Sequence, residues 1–215
     1  MNVHYQANAP LPAVLDTAPL ATPHRRRSIG HYRLNSRDLE DFNRLLATLG
    51  RRQAPLDSDQ LVTAARELSD PNAGDAAPAC ILQRLRWAES VAQMVRDPNW
   101  SPANDALAPA ELVLDYVRGH EGLIPDWLPR VGRLDDAIVI DTAWQELAPE
   151  VLSYVDFRRL RHIEAELRGC EDTGFRFTRN EWERARRAEV ELAAQKRRIR
   201  ESSYLPAPCA MFRVH

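Results

Sequence analysis

Apolar positions recur along this chain at helical spacing, in blocks separated by proline, glycine and short polar stretches. Leu39, Phe42, Leu45, Leu46 and Leu49 share one face of a helix predicted over 36–49. Ser36 is its expected N-cap and Gly50 its stop. A serine oxygen accepts an orphan N–H, and glycine tolerates the left-handed turn that ends a helix. Asp57 and Gln60 have the spacing of a capping box, which starts a second helix reaching about Leu68. Ile81, Leu82, Leu85, Ala88, Val91, Ala92 and Val95 give the clearest 3.6-residue period, over 79–96. Asp97-Pro98 ends that block. Further helices are predicted over 109–118, 134–147 and 149–168, and Gly169 closes the last of these. Thr178 and Glu181 make a second capping box for a final helix that runs to about Arg200.

The flanks lack this period. Residues 1–33 are rich in Ala, Pro and Thr and hold the basic cluster Arg25, Arg26 and Arg27, so a mobile N-terminal arm is expected. Residues 202–215 form an irregular tail containing Pro206 and Pro208. The expectation is an all-α protein: a single compact helical domain over 34–201, of six or seven helices. Composition agrees, since helix formers dominate and only 8 of 215 residues are glycine.

Charge narrows the partners only a little. The formal net charge of −2 gives no bulk argument for nucleic acid or an anionic membrane. Cys80, Cys170 and Cys209 are odd in number, far apart and contain no C-x-x-C pair. They read as reduced thiols of a cytoplasmic protein, with neither a disulfide framework nor a zinc site. The N-terminus does not have the charged-then-apolar pattern of a signal peptide. Apolar runs such as Ala137–Ile140 are far shorter than the roughly 20 residues of a membrane span, so no integral insertion is expected.

The most constrained stretch is 122–141, with two prolines, two glycines and four aspartates in an apolar segment. Pro125 and Pro129 stop a regular helix from passing through. Leu123, Ile124, Trp127, Leu128 and Val131 call for burial, so the segment reads as a tight corner between helices. Asp126 is expected to cap its own turn. Asp135 and Asp136 open the next helix, where carboxylates meet unpaired N–H groups and the positive dipole end. Asp141 falls on a largely apolar face and needs a partner there.

Leu123-Ile124-Pro125-Asp126, Pro129, Gly132, Asp135-Asp136 and Ala137 resemble the signature of the YkvA-like domain, a bacterial and eukaryotic family. The resemblance covers about residues 80–165 and includes Tyr154-Val155-Asp156-Phe157. It departs where Gly119-His120-Glu121-Gly122 stands in place of the Ser-Pro-x-Asp of many relatives. It implies a small helical domain and supplies no catalytic residues.

Four functional classes stay open, the last of them peripheral membrane association, which only the resemblance suggests. No G-x-S-x-G, P-loop, G-x-G-x-x-G or H-E-x-x-H pattern is present. The leading expectation is therefore a non-enzymatic interaction or regulatory protein without a cofactor, which binds another protein in a neutralising or adaptor role. A nucleic-acid reading would use Arg25, Arg26 and Arg27 with Arg184, Arg187, Arg197, Arg198 and Arg200 of the basic last helix. A third would place Mg²⁺ or Ca²⁺ on Asp126, Asp135, Asp136 and Asp141, with His120 and Glu121 nearby. Against it stands the structural reading, in which these carboxylates cap N–H groups and pair with Arg130 or Arg133.

Overall fold

The computed structural model describes residues 9–18, 26–69, 76–119, 122–170 and 175–203. Among them are six helices and one two-stranded antiparallel sheet. A 3-10 turn at Ala13–Asp16 comes first. The strands β1, Ser28–Ile29, and β2, Tyr32–Arg33, then form a hairpin turned at Gly30, whose φ is +59°. The helices are α1, Ser36–Thr48; α2, Ser58–Leu68; α3, Ala79–Arg96; α4, Asn104–Arg118; α5, Leu134–Leu167; and α6, Arg179–Ser203. The chain divides into two compact units, Met1–Tyr154 and Val155–His215, so the segment expected as one domain runs across both. The all-α architecture holds.

Local signals set most boundaries. Asp57 and Gln60 make the capping box at α2 from both sides, at 2.9 Å each. Gly50 follows α1 with φ +89°, the backbone region its stop role requires. The cap of α1 is Asn35 and not Ser36: the Asn35 side chain accepts from the Arg37 N–H at 3.1 Å, and Ser36 is the first helical residue. Asparagine and serine suit the position almost equally, so neighbouring candidates differ by one place.

Two proline expectations are corrected. The helices expected over 134–147 and 149–168 are one helix, α5, with Pro149 inside it. Ala143, Leu147, Val151 and Tyr154 keep one buried face at helical spacing through the proline. Packing along that face outweighs one lost N–H. The helix expected from Pro109 begins earlier, at Asn104, because Ala106 already belongs to the buried face of Ala110, Val113 and Leu114. Its first turn receives help from α5, where buried Glu150 accepts from the Ala103 N–H at 3.2 Å and from Trp100 Nε1 at 3.1 Å.

The arm expected over 1–33 is described in two pieces, and both make defined contacts. Leu15 is buried. Gln60 Nε2 donates to the carbonyls of Val14 and Thr17, at 3.1 and 2.7 Å. Arg51 donates to the Leu15 carbonyl at 2.5 Å. The Ala9 N–H donates to Gln83 Oε1 at 3.1 Å, and buried Arg84 donates to the Ala9 carbonyl. Residues 1–8 and 19–25, with Arg25, and the tail from 204 lie outside the described residues, as do His120 and Glu121.

In the second unit, the carboxylate of Asp156 on α5 accepts from Trp182 Nε1 at 2.7 Å and from Arg186 Nε at 2.6 Å, joining α5 to α6. Phe157 stacks on Phe177, with ring centroids 5.7 Å apart. Every residue of 188–200 is exposed.

Candidate functional site

The corner between α4 and α5 is built as its sequence directs. The Leu128 N–H returns to the Pro125 carbonyl at 3.0 Å, and the Gly132 N–H to the Leu128 carbonyl at 3.0 Å. These close the turns that the two prolines force. A Cβ on Gly132 would lie 2.4 Å from the Asp126 carbonyl oxygen and 2.8 Å from that of Pro125, so only glycine lets the strands of the turn meet. Arg130 adopts φ +65°, the one non-glycine in the left-handed region among the described residues. Leu123, Ile124, Leu128 and Val131 are buried. Trp127, expected to bury with them, is 68% exposed and meets Tyr32 edge-on at 6.4 Å.

The aspartates divide into different roles. Asp135 is buried, and its Oδ2 accepts from Tyr116 Oη at 2.8 Å and from the Ile124 N–H at 3.0 Å. Tyr116 Oη in turn accepts from the Leu123 N–H at 3.1 Å. One carboxylate and one phenol thus satisfy the backbone of the corner's entrance, where a proline-broken chain has no ladder to supply partners. Asp136, also buried, pairs with Arg133 Nε. Asp126, expected to cap its own turn, is exposed and stands 3.6 Å from Arg133 Nη1. Arg130 donates to the Leu68 carbonyl at 3.1 Å. Asp141 is separate from this group. It pairs with Arg84 on α3, whose Nε and Nη2 reach one carboxylate oxygen at 2.9 and 2.7 Å.

Burial dominates the electrostatics. It raises the Asp135 carboxyl above the ordinary range, although the hydrogen bonds from Ile124 and Tyr116 oppose the rise. Burial and the neighbouring negative charge of Asp135 push Asp136 up to about 7, with Arg133 pulling the other way. Burial and Asp135 likewise raise the Tyr116 phenol. A cavity of about 270 Å³ opens beside Pro125, Asp126, Trp127, Asp135 and Asp136. A larger one, about 490 Å³, lies between α1 and the corner, lined by Asp38, Asp41, Phe42 and Tyr116. Among the described residues no three His, Cys, Asp or Glu side chains converge as a metal site.

The basic candidates fall in both units. Arg26 and Arg27 are exposed beside the hairpin, and the Arg26 N–H donates to Asp59 at 3.1 Å. Arg184, Arg187, Arg197, Arg198 and Arg200 are exposed on α6. Arg187 Nε donates to the Glu183 carbonyl at 3.4 Å, and its Nη2 stands 4.0 Å from the Glu183 carboxylate. Arg84, Glu150 and Asp156, which tie helices together, were not predicted. A lone charged residue on an apolar helix face was the available signal, and the same signal had identified Asp141. Comparison with family profiles, curated proteins and solved structures returns no match for this chain.

Proposed function

We propose that this chain is a YkvA-like helical protein of the cytoplasm that acts by binding another protein, in a neutralising or adaptor role. The observation that carries this reading is the exposed half of α6. Over 188–200 it offers Leu192, Ile199 and four basic side chains to solvent, with Leu192 51% exposed. The motif carboxylates, by contrast, bond to the chain's own groups, as Asp135 does to Tyr116 and Ile124. Affinity capture with the full-length chain at endogenous level tests it. A specific protein is expected, lost with Leu192→Glu; recovery of no specific protein ends the reading.

Nucleic acid is the second reading, favoured by Lys196, Arg197, Arg198 and Arg200 within one exposed stretch. Such contacts are sequence-independent and weaken steeply with salt. A gel shift at low salt, abolished by Arg197→Glu with Arg198→Glu, is the expected result. No shift at low salt removes it.

A further inference from the structure

The exposed part of α6 is divided by charge. Residues 188–194 carry Glu189 and Glu191 and no basic residue; residues 195–200 carry Lys196, Arg197, Arg198 and Arg200 and no acidic one. Ala188, Leu192, Gln195 and Ile199 stand at intervals of four, three and four, the spacing of a seam along which one helix packs on another. Leu192 and Ile199 on that seam are 51% and 56% exposed. A helix of this length gains little from its own hydrogen bonds in water and takes most of its stability from packing.

A helix that is acidic in its first half and basic in its second is complementary to itself reversed. We infer that α6 pairs antiparallel with α6 of a second copy of this chain, an inference that rests on reading α6 as an interaction surface. In that register Ala188 meets Ile199 of the second copy, and Leu192 meets Gln195. The small residue opposite the large one keeps the axes close. Glu189 then faces Lys196 of the second copy and Glu191 faces Arg198, and symmetry repeats both pairs. The parallel arrangement instead sets two groups of four basic residues side by side, which costs free energy by like-charge repulsion. The contact is small, so the dimer is weak and concentration-dependent.

Sedimentation equilibrium of the full-length chain reads this directly. The mass is expected to rise with concentration from 24.5 kDa towards twice that value. Leu192→Glu should weaken association about tenfold or more, since it removes an apolar side chain from the seam and adds a charge. Two charge-reversed chains, Glu189→Lys with Glu191→Arg and Lys196→Glu with Arg198→Glu, should each stay monomeric alone and associate when mixed. Circular dichroism checks that each variant keeps its helix content. Orientation follows from disulfide cross-linking with Cys170 and Cys209 replaced by serine. Ala188→Cys and Ile199→Cys chains should cross-link to each other and not to themselves. A monomer up to about 1 mM, a range that admits even weak pairs, overturns the inference, as does a dimer indifferent to these substitutions or self-cross-linking alone. Should that monomer still capture a different protein through Leu192, the interaction reading stands and self-pairing falls.

Discussion

Gly132 sits where two stretches of backbone nearly touch. Gly132→Ala would drive a methyl into the Asp126 carbonyl, which is backbone and cannot rotate away. The loss of stability is expected to be roughly 1–3 kcal/mol or more, as for overpacking of a filled core, and a urea denaturation curve measures it. Asp136 gives a pH dependence of definite sign. Its carboxyl moves from an ordinary 3.8 to about 7 on folding, so the native state holds that proton more tightly than the unfolded chain does. Its contribution to stability is full below about pH 4 and is lost as the pH rises through 7. The slope approaches about 1.4 kcal/mol per pH unit where the two states differ by one proton. Asp136→Asn should flatten the fall in urea midpoint between pH 5 and pH 8; an unchanged slope would show that Asp136 is not its source. The corner itself was legible, because proline, glycine and aspartate each carry a backbone consequence. Trp127 was not: hydrophobicity says what a side chain gains by burial, not whether a neighbour is there to cover it.

At the scale of elements, caps read well and prolines read poorly. Asp57 and Gln60 bond reciprocally within four residues, so their pattern needs no tertiary knowledge. Pro149 is exposed within α5, and the decision to continue through it is taken by Leu147, Val151 and Tyr154 against other helices. Pro149→Ala restores a donor to the helix and relieves the ring's clash with the preceding turn. It should raise the thermal midpoint, by up to about 3 kcal/mol of stability if the helix straightens fully. A lower midpoint would mean that the proline's bend is itself required by the packing.

For the whole molecule, stability should be graded. Residues 137–140 and 143 are buried, whereas all of 188–200 are exposed. Amides of 190–200 should therefore exchange with solvent deuterium well before those of 138–147, at concentrations where the chain is monomeric. Equal protection would contradict the exposure seen along α6. The helical class was legible from period and composition, because both sum over many residues. The division after Tyr154 was not, since it falls inside a continuous helix and leaves no proline, glycine or polar linker to mark it.

The reach of Glu150 to the start of α4 has a kinetic meaning. The first turn of α4 has no capping side chain of its own, and its acceptor lies 47 residues along the chain from the Ala103 N–H. The Ala103 N–H therefore gains its partner only once α5 has been delivered and a long loop closed, an entropic cost met before any reward. In contrast, α2 can nucleate locally on its own box. The meeting of α4 and α5 should thus form in the folding barrier, and Glu150→Ala, which removes the acceptor, should slow folding more than it speeds unfolding.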